Sequence, residues 1–150
     1  MRSFPDTSFL CSLYRTQDNS SRADRIFNAL KAPLAVSSLL LLEFRQSARY
    51  QVGLYRRDKP KGFSRGESEE MLRDLKKDLD TSVLEIVPVE WLAVHHIAER
   101  ISEKHTASGC HRLTDILHVA TALYLEVDEF LTFDSNQKKL AQAEGLEVVL

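Results

Sequence analysis

Cysteine is scarce in this chain. Among its 150 residues only Cys11 and Cys110 occur, and neither lies in a C-x-x-C pair. That argues against a thiolate zinc site and a disulfide-stapled framework, and it fits reduced thiols in a cytoplasm. Long hydrophobic runs are also missing. The longest, Leu39–Leu42, is far short of the roughly 20 residues that span a membrane, and the opening residues carry no apolar targeting segment. A soluble, cytoplasmic protein without a membrane partner is expected. There is no basic surplus: the formal net charge is −2, so any nucleic-acid surface has to be a local patch rather than a whole-protein field. Internal repeats and low-complexity tracts are absent. What is present is 43% hydrophobic residues, enough for one packed core, and a length that suits one domain spanning 1–150.

Short apolar runs alternate with amphipathic stretches. Arg2–Pro5, Pro33–Val36, Leu84–Val87, Phe130–Phe133 and Leu146–Val149 read as strands. Pro5, which cannot donate to a ladder, fits a strand end or an edge. Helices are predicted over Thr7–Thr16, Arg22–Lys31, from Ser37 or Ser38 to about Val52, over Glu67–Asp80, around Trp91–Ile101, from a Thr114 cap to about Val127, and over Ser135–Glu144, where Gly145 stops the last one. Tyr55–Gly66 reads as a mobile basic loop and His105–His111 as a connection. Strands separated by helices give an α/β fold with a mostly parallel sheet of about four to five strands, Rossmann-like, flanked by helices.

In open parallel sheets ligands bind beyond the carboxyl ends of the strands. Asp6 and Asp134 occupy such positions, and Glu43 and Asp115 lie in the opening turns of helices aimed at the same edge. Four carboxylates in one small space repel each other unless a cation lies between them. Oxygen ligands suit Mg²⁺ or Mn²⁺, and such an ion suits phosphodiester hydrolysis by activating a water and stabilising the developing charge. Each acid also has a plainer reading. Asp6 and Asp134 can cap helices, and Asp115 suits the helix dipole. Glu43 is harder to explain away. It follows Leu39–Leu42, is misplaced for a capping box, and has no Lys or Arg three or four residues away.

The order of these residues resembles the PIN-domain family. Phe4–Pro5–Asp6–Thr7–Ser8–Phe9–Leu10 resembles its first motif, and Glu43 falls where the second acid lies. Thr114–Asp115–Ile116–Leu117–His118–Val119–Ala120–Thr121–Ala122–Leu123 resembles the third, and Phe130–Leu131–Thr132–Phe133–Asp134 the fourth. The resemblance implies a PIN fold and a Mg²⁺-dependent endoribonuclease in which Mn²⁺ can substitute. It also implies a VapC-like toxin paired with a cognate antitoxin, and a homodimer. Asp6 and Asp115 would be the main metal ligands, with Glu43 and Asp134 completing an acidic catalytic quartet. Thr7, Ser8 and Thr132 would orient carboxylates or touch phosphate. Pro5 departs from the usual apolar strand residue, and Ser135 and Asn136 supply no further acid after Asp134.

Arg56, Arg57, Lys59, Lys61 and Arg65 are candidates for gripping RNA phosphates, against a solvated loop as the plainer account. His118, one turn after Asp115, reads as a packed, hydrogen-bonded histidine before a site residue. Two other functions compete. A haloacid-dehalogenase-type phosphotransferase also has an aspartate after its first strand, but its D-x-D-x-T pattern is missing here. A catalytically silent module that binds RNA or a partner protein is opposed by the presence of all four acids.

Overall fold

The computed structural model describes residues 2–149. Five strands and seven α-helices alternate: β1 (Ser3–Pro5), α1 (Thr7–Tyr14), α2 (Ser20–Ala29), β2 (Leu34–Val36), α3 (Ser38–Arg57), α4 (Arg65–Asp80), β3 (Leu84–Ile86), α5 (Trp91–Gly109), α6 (Leu113–Tyr124), β4 (Glu129–Leu131), α7 (Ser135–Ala143) and β5 (Glu147–Val148). All pairings are parallel, as the α/β reading requires. They form two ladders, β1-β4-β5 and β2-β3. β1 also packs beside β2, yet no ladder joins them. Proline explains part of that gap. The Asp6 N–H reaches the Leu131 carbonyl on β4, so residues of the other parity, Ser3 and Pro5, face β2, and Pro5 has no N–H to offer.

The core runs between sheet and helices. Phe4, Phe9, Phe44 and Phe130 are fully buried, and the Phe4 and Phe130 rings stack across the β1–β4 ladder at 6.5 Å between centroids. α3 begins on a buried Ser37 whose hydroxyl accepts the Leu40 N–H. α7 ends where Gly145 takes φ +86°, a left-handed turn that glycine enters without a side-chain clash.

Three segments differ from their sequence reading. α3 continues to Arg57 instead of ending near Val52, so Tyr55–Arg57 are helical and Lys59–Lys61 form a 3-10 turn. The basic segment is folded back on α3: Phe63 is buried, and a Cβ on Gly62 would sit 2.2 Å from the Gln51 carbonyl. Burial of Phe63, distant from the local charge pattern, overrides the loop signal. α5 runs through to Gly109, taking in most of the expected connection, and stops only when Cys110 turns left-handed at φ 52°. Thr114 is not the cap of α6, which begins at Leu113 with Arg112 at the N-cap.

The extension of α5 is tied down by one acid. Glu144, just past α7, has a side chain only 4% exposed and meets Arg100 at 2.8 Å, Lys104 at 3.1 Å and His105 at 2.7 Å. Burial alone would push its carboxyl up. The bonds from His105, Arg100 and Lys104 prevail and hold it at about 2. A carboxyl depressed in the folded chain stabilises it above the unfolded value and loses that contribution as pH falls through the folded one. Glu144→Gln is therefore expected to lower the melting temperature at pH 7 by roughly 5 °C, from a loss of about 2 kcal/mol. The gap to the parent should close as the pH drops from about 4.5 towards 2. A gap that stays constant over this range in calorimetric melts would deny the ion pairs their part.

Candidate functional site

The carboxyl ends of β1 and β4 meet at a hydrogen-bonded cluster. Asp6, 1% exposed, follows β1 directly. Its Oδ1 accepts from the Ser8 hydroxyl (2.6 Å) and the Phe9 N–H (2.9 Å), and its Oδ2 from the Thr132 hydroxyl (2.6 Å). The same hydroxyls accept in turn: Ser8 Oγ from Phe133 N–H at 2.8 Å, and Thr132 Oγ1 from Asp134 N–H at 3.0 Å. Each hydroxyl has one proton, and both are spent on Asp6. Asp6 thus caps α1 and still keeps one lone pair, on Oδ2. Burial pushes its carboxyl above the ordinary range despite the bonds from Ser8, Thr132 and Phe9, so this carboxylate gains from any nearby positive charge.

Glu43 stands on the first full turns of α3. The sequence made it an acid with no local partner. The structure supplies distant ones: the Thr7 hydroxyl and His118 Nε2 both bond Glu43 Oε2, and the nearby Thr114 favours the charged form more weakly. Burial raises the Glu43 carboxyl, but these bonds outweigh it and hold it at about 2. A carboxylate offers only acceptors, so His118 Nε2 is the donor. His118 is 1% exposed, as its packed reading implied. Its Nδ1 is buried with no hydrogen-bond partner among the described residues.

Asp115, in the first turn of α6, has its carboxylate 8% exposed and gripped by Arg112: Nε to Oδ2 at 3.1 Å and a second guanidinium nitrogen to Oδ1 at 3.3 Å. The field of Asp115, and more weakly those of Asp134 and Glu43, holds the Arg112 guanidinium in its charged form. Arg112 therefore stands within electrostatic reach of three of the four acids. Asp134 caps α7, with Oδ1 accepting from Asn136 N–H (2.8 Å) and Gln137 N–H (2.9 Å). The Gln137 side chain reaches back to the Asp115 carbonyl at 3.3 Å, tying the α7 cap to α6.

The structure brings Asp6, Ser8 and Thr132 into one cluster, and Glu43 and Thr7 into a second that also holds Thr114 and His118. The basic residues lie elsewhere. Arg56 is 13 residues after Glu43 on the same helix, roughly 20 Å along its axis. Lys61 is paired with Asp58 and Arg65 with Glu69, and Lys59 lies over the Tyr55 ring at 6.0 Å, which leaves Arg56 and Arg57 without a partner among the described residues. Arg112 is the residue that sequence reading missed. A signal was available, because a cation at a helix N-terminus opposes the dipole and so calls for an acid to justify it.

The donor set suits a hard divalent ion, since every candidate ligand is a carboxylate oxygen. A cation at this edge would also reverse the burial penalty on Asp6, and the Arg112 guanidinium already answers the acids with positive charge. No three or more of the described His, Cys, Asp or Glu side chains lie close enough together to hold an ion as they stand.

Comparison with known proteins identifies the family and the fold. The PIN domain family matches residues 3–143. Among solved structures, FitAcB from Neisseria gonorrhoeae superposes with a TM-score of 0.66 at 17% identity, over 97% of this chain and 95% of that one. VapC20 of Mycobacterium tuberculosis, a toxin that cleaves the sarcin-ricin loop, superposes with a TM-score of 0.61 at 19% identity, over 96% and 95%. At such identities the likeness is one of fold. No curated protein sequence matches the chain.

Proposed function

The chain belongs to the PIN-domain family, and on that premise we propose that it is a Mg²⁺- or Mn²⁺-dependent endoribonuclease, the toxin of a toxin–antitoxin pair. The observation that carries the reading is the buried Asp6 at the end of β1, its carboxylate held by Ser8 and by Thr132, whose own hydroxyl ties it to the Asp134 cap of α7. Asp6, through its remaining Oδ2 lone pair, and Asp115 would hold the ion, with Glu43 and Asp134 completing the charge. A bound divalent ion there supplies Lewis-acid stabilisation of the phosphate and a water of lowered pKa. The chain's own residues do the positioning. Ser8 and Thr132 fix the Asp6 carboxylate, while Thr7 and His118 fix Glu43 in its ionised form.

The partners follow from the same reading. RNA is the substrate, and the fold neighbour VapC20, which cleaves the sarcin-ricin loop, favours an RNA target. A cognate antitoxin would occlude the acids with a basic side chain. A homodimer is supported by the exposed Leu42, Leu92 and Leu113 and by the shallow apolar cleft of Leu39, Leu42, Trp91 and Leu117. None of the described helices is long and apolar enough to cross a membrane, and a cytoplasmic site of action completes the proposal. Purified protein freed of partners should cut RNA in Mn²⁺ or Mg²⁺ and stop on chelation. Cleavage that survives chelation would end the metal-dependent reading. Binding of RNA without any cleavage would favour the silent binding module.

A further inference from the structure

α3 leads away from Glu43 with an unusual charge pattern. Residues 44–57 include Arg45, Arg49, Arg56 and Arg57 and not one Asp or Glu, in a chain whose net charge is −2. None of these four arginines enters an ion pair or hydrogen bond among the described residues. Arg49, Arg56 and Arg57 are exposed. At the helix end, Asp58 is neutralised by Lys61 at 2.9 Å. Starting from Glu43, positions 46, 50, 53 and 57 share one face by helical spacing. They carry Gln46, Tyr50, Gly53 and Arg57, with Arg49 alongside. Tyr50, 61% exposed, is an aromatic ring packed on nothing that would account for it, about 10 Å along the axis from Glu43, and Arg57 is about 21 Å along.

Gly53 is the second observation. Glycine disfavours a helix interior, and an exposed glycine there normally answers to a close neighbour. Here a Cβ would meet nothing within 4 Å, so packing within the chain does not call for it. What the missing side chain leaves is a bare stretch of helix surface midway between a stacking ring and a cation.

We propose that this face of α3 is a track for single-stranded RNA leading to the acidic site, with a base stacked on Tyr50, phosphates on Arg49 and Arg57, and the strand passing close over Gly53. This rests on the ribonuclease reading and adds to it the strandedness and path of the substrate. An exposed ring with cations on either side of it along one line suits an unpaired strand, whose bases are free to stack. A regular duplex offers no free base face to Tyr50.

The test is binding of a fluorescent single-stranded RNA to the full chain, by anisotropy in chelator so that nothing is cut. Tyr50→Ala should weaken binding roughly ten-fold. Arg49→Ala and Arg57→Ala should each weaken it several-fold and reduce the slope of log affinity against log salt by about one. Gly53→Glu is the sharpest variant. It should bind about ten-fold more weakly while melting no lower than the parent, because the position is open and the helix gains from losing glycine. Arg25→Ala, on α2, should bind as the parent does. If the parent binds and cuts RNA while the four α3 variants bind as tightly as it does, the track is wrong and the nuclease stands. A parent that neither binds nor cuts RNA removes both. Equal loss of affinity for duplex and single-stranded RNA, or binding of polyglutamate in place of RNA, also overturns the track.

Discussion

Asp115→Asn is expected to lower RNA cleavage by on the order of 10²- to 10³-fold, and Glu43→Gln to do the same. Both side chains keep their shape, so the loss isolates charge. The structure separates this from a folding defect. The partner of Asp115 is Arg112, whose side chain is 73% exposed against 8% for the acid, and a pair open to solvent on its cationic side contributes about 1 kcal/mol to stability. In chelator the Asn variant should therefore melt within a few degrees of the parent. In Mn²⁺ the two should diverge. A parent at 100 times the dissociation constant gains about 2.7 kcal/mol, and a variant lacking a ligand gains little. Paired melts and cleavage assays, each with chelator and with Mn²⁺, read both effects. Undiminished cleavage by both variants would place the active site elsewhere. A parent whose melting temperature ignores the ion would leave the acids without a metal to hold.

Arg112→Ala is expected to move in two directions at once. The guanidinium bonds each oxygen of Asp115 once, and its positive charge opposes a divalent ion on the same carboxylate, so an ion that uses Asp115 binds best once the guanidinium has swung away. If the pair is formed about nine-tenths of the time, the apparent metal affinity is lower by about ten-fold, and removing the arginine restores it. Isothermal titration with Mn²⁺ should show that gain. Once displaced, Arg112 is a planar cation free beside three acids and an incoming phosphodiester, which it can grip through two parallel hydrogen bonds. At saturating Mn²⁺ the variant should accordingly cleave more slowly than the parent, chiefly through a higher KM. Lysine at this position should not restore the fork. Unchanged or weaker Mn²⁺ binding by Arg112→Ala would mean the pair does not compete with the ion.

Much of this site is visible in the sequence because its acids follow local rules. Asp6 and Asp134 end short strands and cap helices, and their motifs carry Ser8 and Thr132 along with them. What the sequence hides is anything set by distance along the chain. Glu43 meets His118 across 75 residues and Thr7 across 36, so neither partner appears in a window around it. The same holds for the fold. The five strands and their parallel sense are legible from alternation. The extra length of α3 goes with Gly62 packing close against Gln51 and Tyr55 of that helix, and that of α5 with a remote Glu144. Thr114 shows a local rule giving the wrong answer: it has the chemistry of a cap, but the helix starts earlier and its side chain lies near Glu43 instead.

The hydroxyls around Asp6 have a consequence for inheritance. Ser8 and Thr132 each give their single proton to one oxygen of the same carboxylate and each accept a backbone N–H from the chain after β4. Neither has a spare hydrogen with which to cover for the other. Exchanging one for alanine or valine strands a half-buried N–H and leaves Asp6 short of a donor, and a change at Asp6 strands two hydroxyls. Single substitutions at positions 6, 8 and 132 thus cross a fitness valley that paired ones can avoid. In a randomised library under selection for activity, the three positions should come back as a linked set, with serine and threonine trading places at 8 and 132 far more often than either is lost.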